Sequence, residues 1–399
     1  MDVVIFAAGK STRTHPLTLT RPKPLLPIVN KPLLQHQLEA LSGVTDRVFL
    51  VVGYRQEMIR ERFGASFGGI RIEYVEQTEQ KGTGHALLQC EGSVRGSFLA
   101  MNGDDLYAAE DLRALAAFHG QAALTKQVED PRLYGVYTVG PDGKALSVVE
   151  KPEKPESDLA SVGAYKFTDG VFDLIRSAGP TERGEFEIVT PIQMLIERGQ
   201  FYVLRAKGYW LPIGYPWHLL NANEYFLEHF FEERNDGEVR PGAYISGKVS
   251  IGKGTVIKPG SVIEGPVIIG DNCTIGPNCW LRPGATIGNG CNVGQGVEVK
   301  NSIVMDGAKL PHLTYVGDSI IGASANLGCG TITANFRHDG KDHSSMIKGQ
   351  LIDTGRRKFG AVIGDHVHTG IHTSIYPGRK LWPNTSTLPG EVVHRDKET

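Results

Sequence analysis

The sequence predicts two architectures in one chain, an α/β unit with a mainly parallel sheet followed by a solenoid of six-residue turns. Three observations carry this expectation. Short apolar strands alternate with helical spacing through the first half. An aliphatic residue then recurs at every sixth position from Ile245 to Val299. Glycine is uneven as well: of 49, 23 lie in residues 1–240 and 26 in the shorter stretch 241–399.

In the first half, Val3–Ala7, Val48–Val52, Ile70–Val75 and Phe98–Met101 read as buried strands. Leu33–Leu41, Gln56–Phe63 and Asp111–His119 carry helical spacing between them. Such alternation implies right-handed crossovers and a Rossmann-like sheet covered by helices, with ligand loops at the carboxyl ends of its strands. A last helix is expected over Pro216–Arg234, opened by proline and stopped by Asn235-Asp236-Gly237. The boundaries that follow are a domain over 1–234, a linker over 235–241 and a second domain over 242–399.

In the second half, Ile245, Ile251, Ile257, Ile263, Ile269, Ile275, Leu281, Ile287, Val293 and Val299 share one phase. Four positions after successive members stand Thr255, Ser261, Val267, Cys273, Cys279, Ala285, Cys291 and Val297. Stacked coils with an aliphatic column beside a small-residue column meet this pattern. The three cysteines are expected there as compact apolar residues. Residues 298–318 interrupt the phase, which resumes at Ile321 and Leu327 and again at Ile363 and Ile375. Asn335–Lys358 reads as a polar, basic excursion, the kind of interruption that carries function.

Lys+Arg 42 against Asp+Glu 44 gives a net charge of −2. A balance this even carries no global footprint for nucleic acid or anionic lipid. No apolar run reaches the ~18 residues of a membrane span. The N-terminus shows no secretory pattern and the five cysteines are sparse, so a cytoplasmic setting is expected.

Strand Val3–Phe6 runs into Ala7-Ala8-Gly9-Lys10-Ser11-Thr12-Arg13, with Pro22-Lys23-Pro24 downstream. A small-residue turn after a strand admits phosphates to backbone N–H groups, and Arg13 and Lys23 can neutralise a triphosphate. Taken alone, the segment is equally a tight turn with two surface cations. Gln77-Thr78-Glu79-Gln80-Lys81-Gly82-Thr83-Gly84, Asn102-Gly103-Asp104-Asp105, Tyr134-Gly135 and Glu150-Lys151-Pro152 follow in order. Together these segments resemble the sugar-1-phosphate nucleotidylyltransferases. The resemblance implies nucleotide contacts from Ala8, Gly9, Gln77, Gln80, Gly82 and Thr83, and catalytic cations at Arg13 and Lys23. It also implies Mg²⁺ at Asp104 and sugar-phosphate contacts from Gly135, Glu150, Lys151 and Gly163. In Trp210-Leu211-Pro212-Ile213-Gly214, Pro212 stands where that family carries its second metal ligand. Ser161 likewise replaces a sugar-contacting Asn.

The hexapeptides resemble left-handed parallel β-helix acyltransferases, which implies the hand of the coil and a homotrimer. Glu298–Asn301, Pro311–Asp318, Asn326–Asn335 and Asp353–Gly360 resemble the acetyltransferase half of the bifunctional UDP-N-acetylglucosamine pyrophosphorylase/glucosamine-1-phosphate N-acetyltransferases, in their archaeal-type branch. Carried over, His312 is the general base, since an amine attacking a thioester must lose a proton. Arg282 and Lys300 hold the sugar phosphate, and Tyr315, Asn326 and Asn335 orient the sugar. Cys329 is expected to meet acetyl-CoA, and the basic run Arg356-Arg357-Lys358 reads either as a contact to CoA phosphates at a subunit interface, with Arg356 and Arg357 on acetyl-CoA, or as a solvated loop. Phe336 stands where the bacterial enzymes have Tyr. His366, His368 and His372 lack a carboxylate or thiol in the same pattern and read as coil-face residues rather than metal ligands.

The expected activity is therefore acetyl-CoA-dependent acetylation of glucosamine-1-phosphate (or galactosamine-1-phosphate), followed by coupling to UTP or dTTP. Two alternatives stand beside it. One is a glucose-1-phosphate nucleotidylyltransferase on an inert coil, and the other an acetyltransferase with a nucleotide-sensing first domain.

Overall fold

A computed structural model describes residues 1–182 and 184–399. The chain forms two compact units. One comprises Met1–Lys10, Pro22–Leu25 and Leu33–Ile213, and the other Ser11–Arg21, Leu26–Pro32 and Gly214–Thr399.

At the centre of the first unit, strand Asp2–Ala7 lies between Arg47–Val52 and Ser97–Asn102, parallel to both. Ile70–Glu76 extends the parallel core beyond Arg47–Val52. The expected strands agree with these to within a residue at each end. The sheet continues in the other sense: Leu159–Thr168 runs antiparallel to both Ser97–Asn102 and Gln121–Gln127. A ladder of Gly135–Val139 with Ala145–Glu150 closes that edge. Two-residue alternation sends Val3 and Ile5 into the apolar layer on one face, and Val4 into the layer on the other. Helix Gln56–Phe63 buries Ile59 and Phe63, one turn apart, and ends at Gly64 with φ +59°.

The second unit contains a parallel β-helix with three faces. The faces carry eight, five and eight strands, and each strand pairs with the equivalent strand of the next coil. Val249–Ile251, for example, pairs with Val267–Ile269, which pairs with Thr286–Ile287. The aliphatic column is buried from Ile251 onward, with Cys273, Cys279, Ala285, Cys291 and Val297 buried beside it. Corner positions adopt positive φ at Gly254, Gly260, Asn272, Asn278, Gly284, Gly290 and Gly296. That conformation is open to glycine and tolerated by asparagine, which accounts for the glycine excess.

One expectation is corrected. The stretch 235–241 is not a linker: Arg234–Asn235 and Glu238–Val239 already pair with the next coil, and the preceding helix ends at His229. The six-residue phase is interrupted over 298–318 as expected, but the coil runs through. Val304, Leu310 and Val316 continue the buried column. The phase only slips, because the steps Val299 to Val304 and Val316 to Ile321 are one residue short. The excursion at 335–358 is present. An isolated antiparallel bridge between Phe336 and Lys358 closes its base. Its body is a hairpin of Ser344–Ile347 with Gln350–Asp353, turned by Lys348 and Gly349 at φ +48° and +80°.

Candidate functional sites

Strand order reverses at Asp2–Ala7, since the next strand of this sheet, Arg47–Val52, lies on one side and Ser97–Asn102 on the other. In open α/β sheets the carboxyl ends at such a point form the ligand crevice. Ala8 and Gly9 leave one strand there, and Gly103 and Asp104 the other. Gly103 N–H donates to Phe6 O (2.9 Å), and a Cβ at Gly103 would stand 2.9 Å from the Phe6 carbonyl carbon.

The two carboxylates of this turn have different fates. Asp104 is 40% exposed and accepts from Lys23 Nζ at 2.8 Å, while the Lys23 side chain is 4% exposed. Lys23 also donates to Ile213 O at 2.5 Å. Asp105 is buried, accepting from Asn102 Nδ2 (3.3 Å) and the Tyr107 hydroxyl (3.4 Å). Burial, then the neighbouring Asp104, pushes its carboxyl up to about 8. One carboxylate therefore faces outward, and the other is held inward, favouring its protonated form.

Gln80 Nε2 donates to Ala8 O (2.8 Å), and Gln77 Nε2 to Gly82 O (3.2 Å). These bonds hold the segment 77–83 beside the first strand's end. Gly82 has φ +95°, and a Cβ there would stand 2.6 Å from Phe186 O. Thr83 opens helix Thr83–Leu88. Gly163, at φ +72°, packs its α-carbon against the Asn102 amide, so it joins the same turn. Gly135 lies opposite Glu150 in the ladder, and Lys151 Nζ is 3.6 Å from Glu150 Oε1. Arg13 belongs to the second unit, with its guanidinium 5.5 Å over the Tyr215 ring.

Pro212 pairs with Asp105 across a two-stranded ladder, and Ile213 N–H donates to Asp104 O (3.1 Å). The segment 210–213 thus reaches the acidic turn but supplies no side-chain ligand. Among the described residues no cluster of three or more His, Cys, Asp or Glu forms a metal cage. One outward carboxylate still fits Mg²⁺, which takes most of its ligands from phosphates and water.

In the second unit, a cavity of about 300 Å³ is lined by Arg282, Lys300, Tyr315, Asn335, Phe336 and Lys358. Three cations around one opening suit a phosphate, while a phenol and an amide suit sugar hydroxyls. Arg282 pairs with Glu298 at 2.7 Å and stacks 4.5 Å over the Trp280 ring. Beneath the cavity lies Asp318, 1% exposed. It accepts from Asn335 Nδ2 at 2.6 Å and from Asn301 Nδ2 at 2.8 Å, with Lys300 Nζ at 3.5 Å. Asn335 Nδ2 also donates to the Tyr315 hydroxyl (3.1 Å).

Four of the expected sugar-phosphate residues therefore converge. His312 and Asn326 do not line this cavity. His312 ends strand Lys309–His312 with its side chain exposed, and Asn326 bridges Lys309 and His368 on the same coil face. Cys329 is half-buried. Arg357 stands 6.0 Å over the Phe336 ring. Arg356, expected to meet acetyl-CoA, is instead turned inward: it is bonded to Asn221 and lies 2.6 Å from Glu224 Oε1, with 11% of its side chain exposed. Its donors are committed to protein. Sequence reasoning missed Lys358 as a wall of the cavity, and Asp318, Asn301 and Glu224 as its support. The two short steps of the column were the available signal for Asn301 and Asp318. Nothing in the sequence marks Glu224.

A nucleotidyl transferase family model matches residues 2–229, and a model described as the GMPPB C-terminal domain matches 263–384. The bifunctional protein GlmU of Methanococcus maripaludis is 42% identical over 400 residues, spanning 100% of this chain and 96% of that protein. A bifunctional sugar-1-phosphate nucleotidylyltransferase/acetyltransferase of Sulfurisphaera tokodaii is 37% identical, spanning 99% of this chain and 98% of that one. A UDP-glucose pyrophosphorylase crystallised with UDP-glucose superposes with a TM-score of 0.53 at 25% identity, covering 57% of this chain and 98% of that chain. With relatives of this similarity matched from end to end, the chain belongs to the GlmU-type family of bifunctional sugar-1-phosphate nucleotidylyltransferase/acetyltransferases.

Proposed function

We propose that this chain acetylates glucosamine-1-phosphate with acetyl-CoA, then transfers uridylyl from UTP to the resulting N-acetylglucosamine-1-phosphate, releasing pyrophosphate. The observation that carries the acetyl step is the cavity gathering Arg282, Lys300 and Lys358 with Tyr315 and Asn335. The cations take the phosphate; the hydroxyl and amide fix the sugar ring. His312 accepts the proton that the amine loses as its nitrogen attacks the thioester carbonyl, and the CoA thiolate leaves. Arg357 and Cys329 contact the acetyl donor.

In the first unit, the sugar phosphate's oxygen attacks the α-phosphorus of UTP as the bond to pyrophosphate breaks. Mg²⁺ held at Asp104 supplies charge neutralisation to the triphosphate when bound. Lys23 fixes the Asp104 carboxylate and lends its own positive charge to the same anions. The loop at Gln77, Gln80, Gly82 and Thr83 receives the base, Ala8 and Gly9 approach the phosphates, and Gly135, Glu150, Lys151 and Gly163 receive the sugar. The α/β portion carries this activity and the coil, which begins at Arg234, the other, in a homotrimer formed through a left-handed coil.

The likeness to a UDP-glucose pyrophosphorylase favours glucose-1-phosphate as a second acceptor. Two variants separate the halves. His312→Ala should abolish CoA release while pyrophosphate release continues, and Asp104→Ala should do the reverse. Acetyl transfer that survives His312→Ala overturns the role of that residue. Pyrophosphate release that survives Asp104→Ala overturns the metal assignment.

A further inference from the structure

We propose that Glu224, on helix Pro216–His229, is a positioning residue for the acetyl-transfer cavity, acting through Asn301, Arg356 and the buried Asp318. The inference rests on the reading of that cavity as the amino-sugar phosphate site. Glu224 lies within the stretch matched by the nucleotidyl transferase model, yet its carboxylate faces the coil. Glu224 Oε1 accepts from Asn301 Nδ2 at 2.7 Å and from Arg356 Nη2 at 2.6 Å. Asn301 donates onward to Asp318 Oδ1, which Arg356 Nη2 approaches to 3.9 Å.

The coil makes this relay local. Asn301 and Asp318 sit at the two shortened corners, both in the left-handed conformation at φ +44° and +49°. They are seventeen positions apart, one coil directly on the next. Asp318 is 1% exposed, and a buried carboxylate needs donors and counter-charge packed around it. Lys300, Asn301, Asn335 and Arg356 supply them.

The consequence reaches the cavity wall. A carboxylate only accepts, so Asp318 fixes the Asn335 amide with Nδ2 inward. Its Oδ1 is then left as an acceptor for a substrate N–H or O–H donor. Glu224 sets Asn301 and Arg356, these set Asp318, and Asp318 sets both Asn335 and Lys300.

The test compares Glu224→Ala, Glu224→Gln and Asp318→Asn with the unaltered chain, assaying CoA release and pyrophosphate release separately. Losing a hydrogen bond between charged groups is worth roughly tenfold or more. Glu224→Ala should therefore raise KM for glucosamine-1-phosphate by that factor, with KM for acetyl-CoA and the kinetics of pyrophosphate release within twofold. Glu224→Gln keeps an acceptor for Asn301 and should recover part of the loss. Asp318→Asn, which frees the Asn335 amide to turn, should lose more than Glu224→Ala. A Glu224→Ala chain with unchanged KM for the amino sugar overturns the proposal. So does one in which both activities fall together and glutamine restores nothing. If the unaltered chain releases no CoA, the reading of the cavity itself fails.

Discussion

Gly103 sits where the acidic turn presses on the central strand, and Gly103→Ala tests whether that closeness places Asp104. The added methyl would stand 2.9 Å from the Phe6 carbonyl carbon and 3.2 Å from the Ala7 Cα, against a carbon–carbon optimum of about 3.5–4.0 Å. Both atoms are backbone of the innermost strand, with Val4 and Ile5 fully buried, so no side chain can swing aside. The turn must lift instead, stretching the 2.9 Å bond from Gly103 N–H to Phe6 O. Overpacking contributes about 1–3 kcal/mol and the weakened bond about 1 kcal/mol, so the first unit should lose about 2–4 kcal/mol. Displacing a positioned carboxylate by about 1 Å lowers a rate by about 100-fold. Urea unfolding reads the first quantity and pyrophosphate release the second, with acetyl transfer as the internal control. Gly103→Ala with native stability and native pyrophosphate release would refute the claim that this contact sets the turn.

Lys23→Ala removes the buried partner of both Asp104 and the Ile213 carbonyl. Steady-state assays should show pyrophosphate release down by about 100-fold or more, while CoA release holds. Asp365→Ala strips Arg21 and Thr20 of their shared acceptor and the Ala323 N–H of its own. Denaturant unfolding should report a loss of about 3–5 kcal/mol, because Arg21 is left half-enclosed without a counter-charge. Thiol titration of the native protein at pH 8 should find Cys90, Cys273, Cys279 and Cys291 inert, since all four are buried. Burial also pushes the Cys90 thiol up to about 12 and raises Cys279, so each is almost wholly in its unreactive protonated form. The half-buried Cys329 should react, and acetyl-CoA should slow it if that residue meets the donor.

Period was the legible part of this fold. Short apolar runs placed the central strands, and recurrence at six placed the aliphatic column, because each reports which side chains face a core. The same reasoning lost the column at Val299, where a corner shortens by one residue and a strict six-residue rule fails. It also took Asn235-Asp236-Gly237 as a stop, although Gly237 lies where a Cβ would stand 2.6 Å from Ile251 Cγ2. That close approach, rather than a linker, is what the glycine serves. Among site residues, Arg282, Lys300, Tyr315 and Asn335 were recoverable because motifs name chemistry-bearing side chains. Asp318 was signalled only by the short step of the column, and Glu224 not at all, since support beneath a site depends on which helix side chain reaches it. Arg356 shows the converse error. A basic run reads as a phosphate contact, but its first member is enclosed by Glu224 and Asn221.

The most direct test starts one reaction from glucosamine-1-phosphate, acetyl-CoA, UTP and Mg²⁺ and follows CoA and pyrophosphate together. Pyrophosphate should appear after a lag, each pyrophosphate should be matched by a CoA, and omitting acetyl-CoA should silence both. Pyrophosphate released from glucosamine-1-phosphate without acetyl-CoA would contradict that order, and CoA release with no pyrophosphate would contradict the bifunctional reading itself.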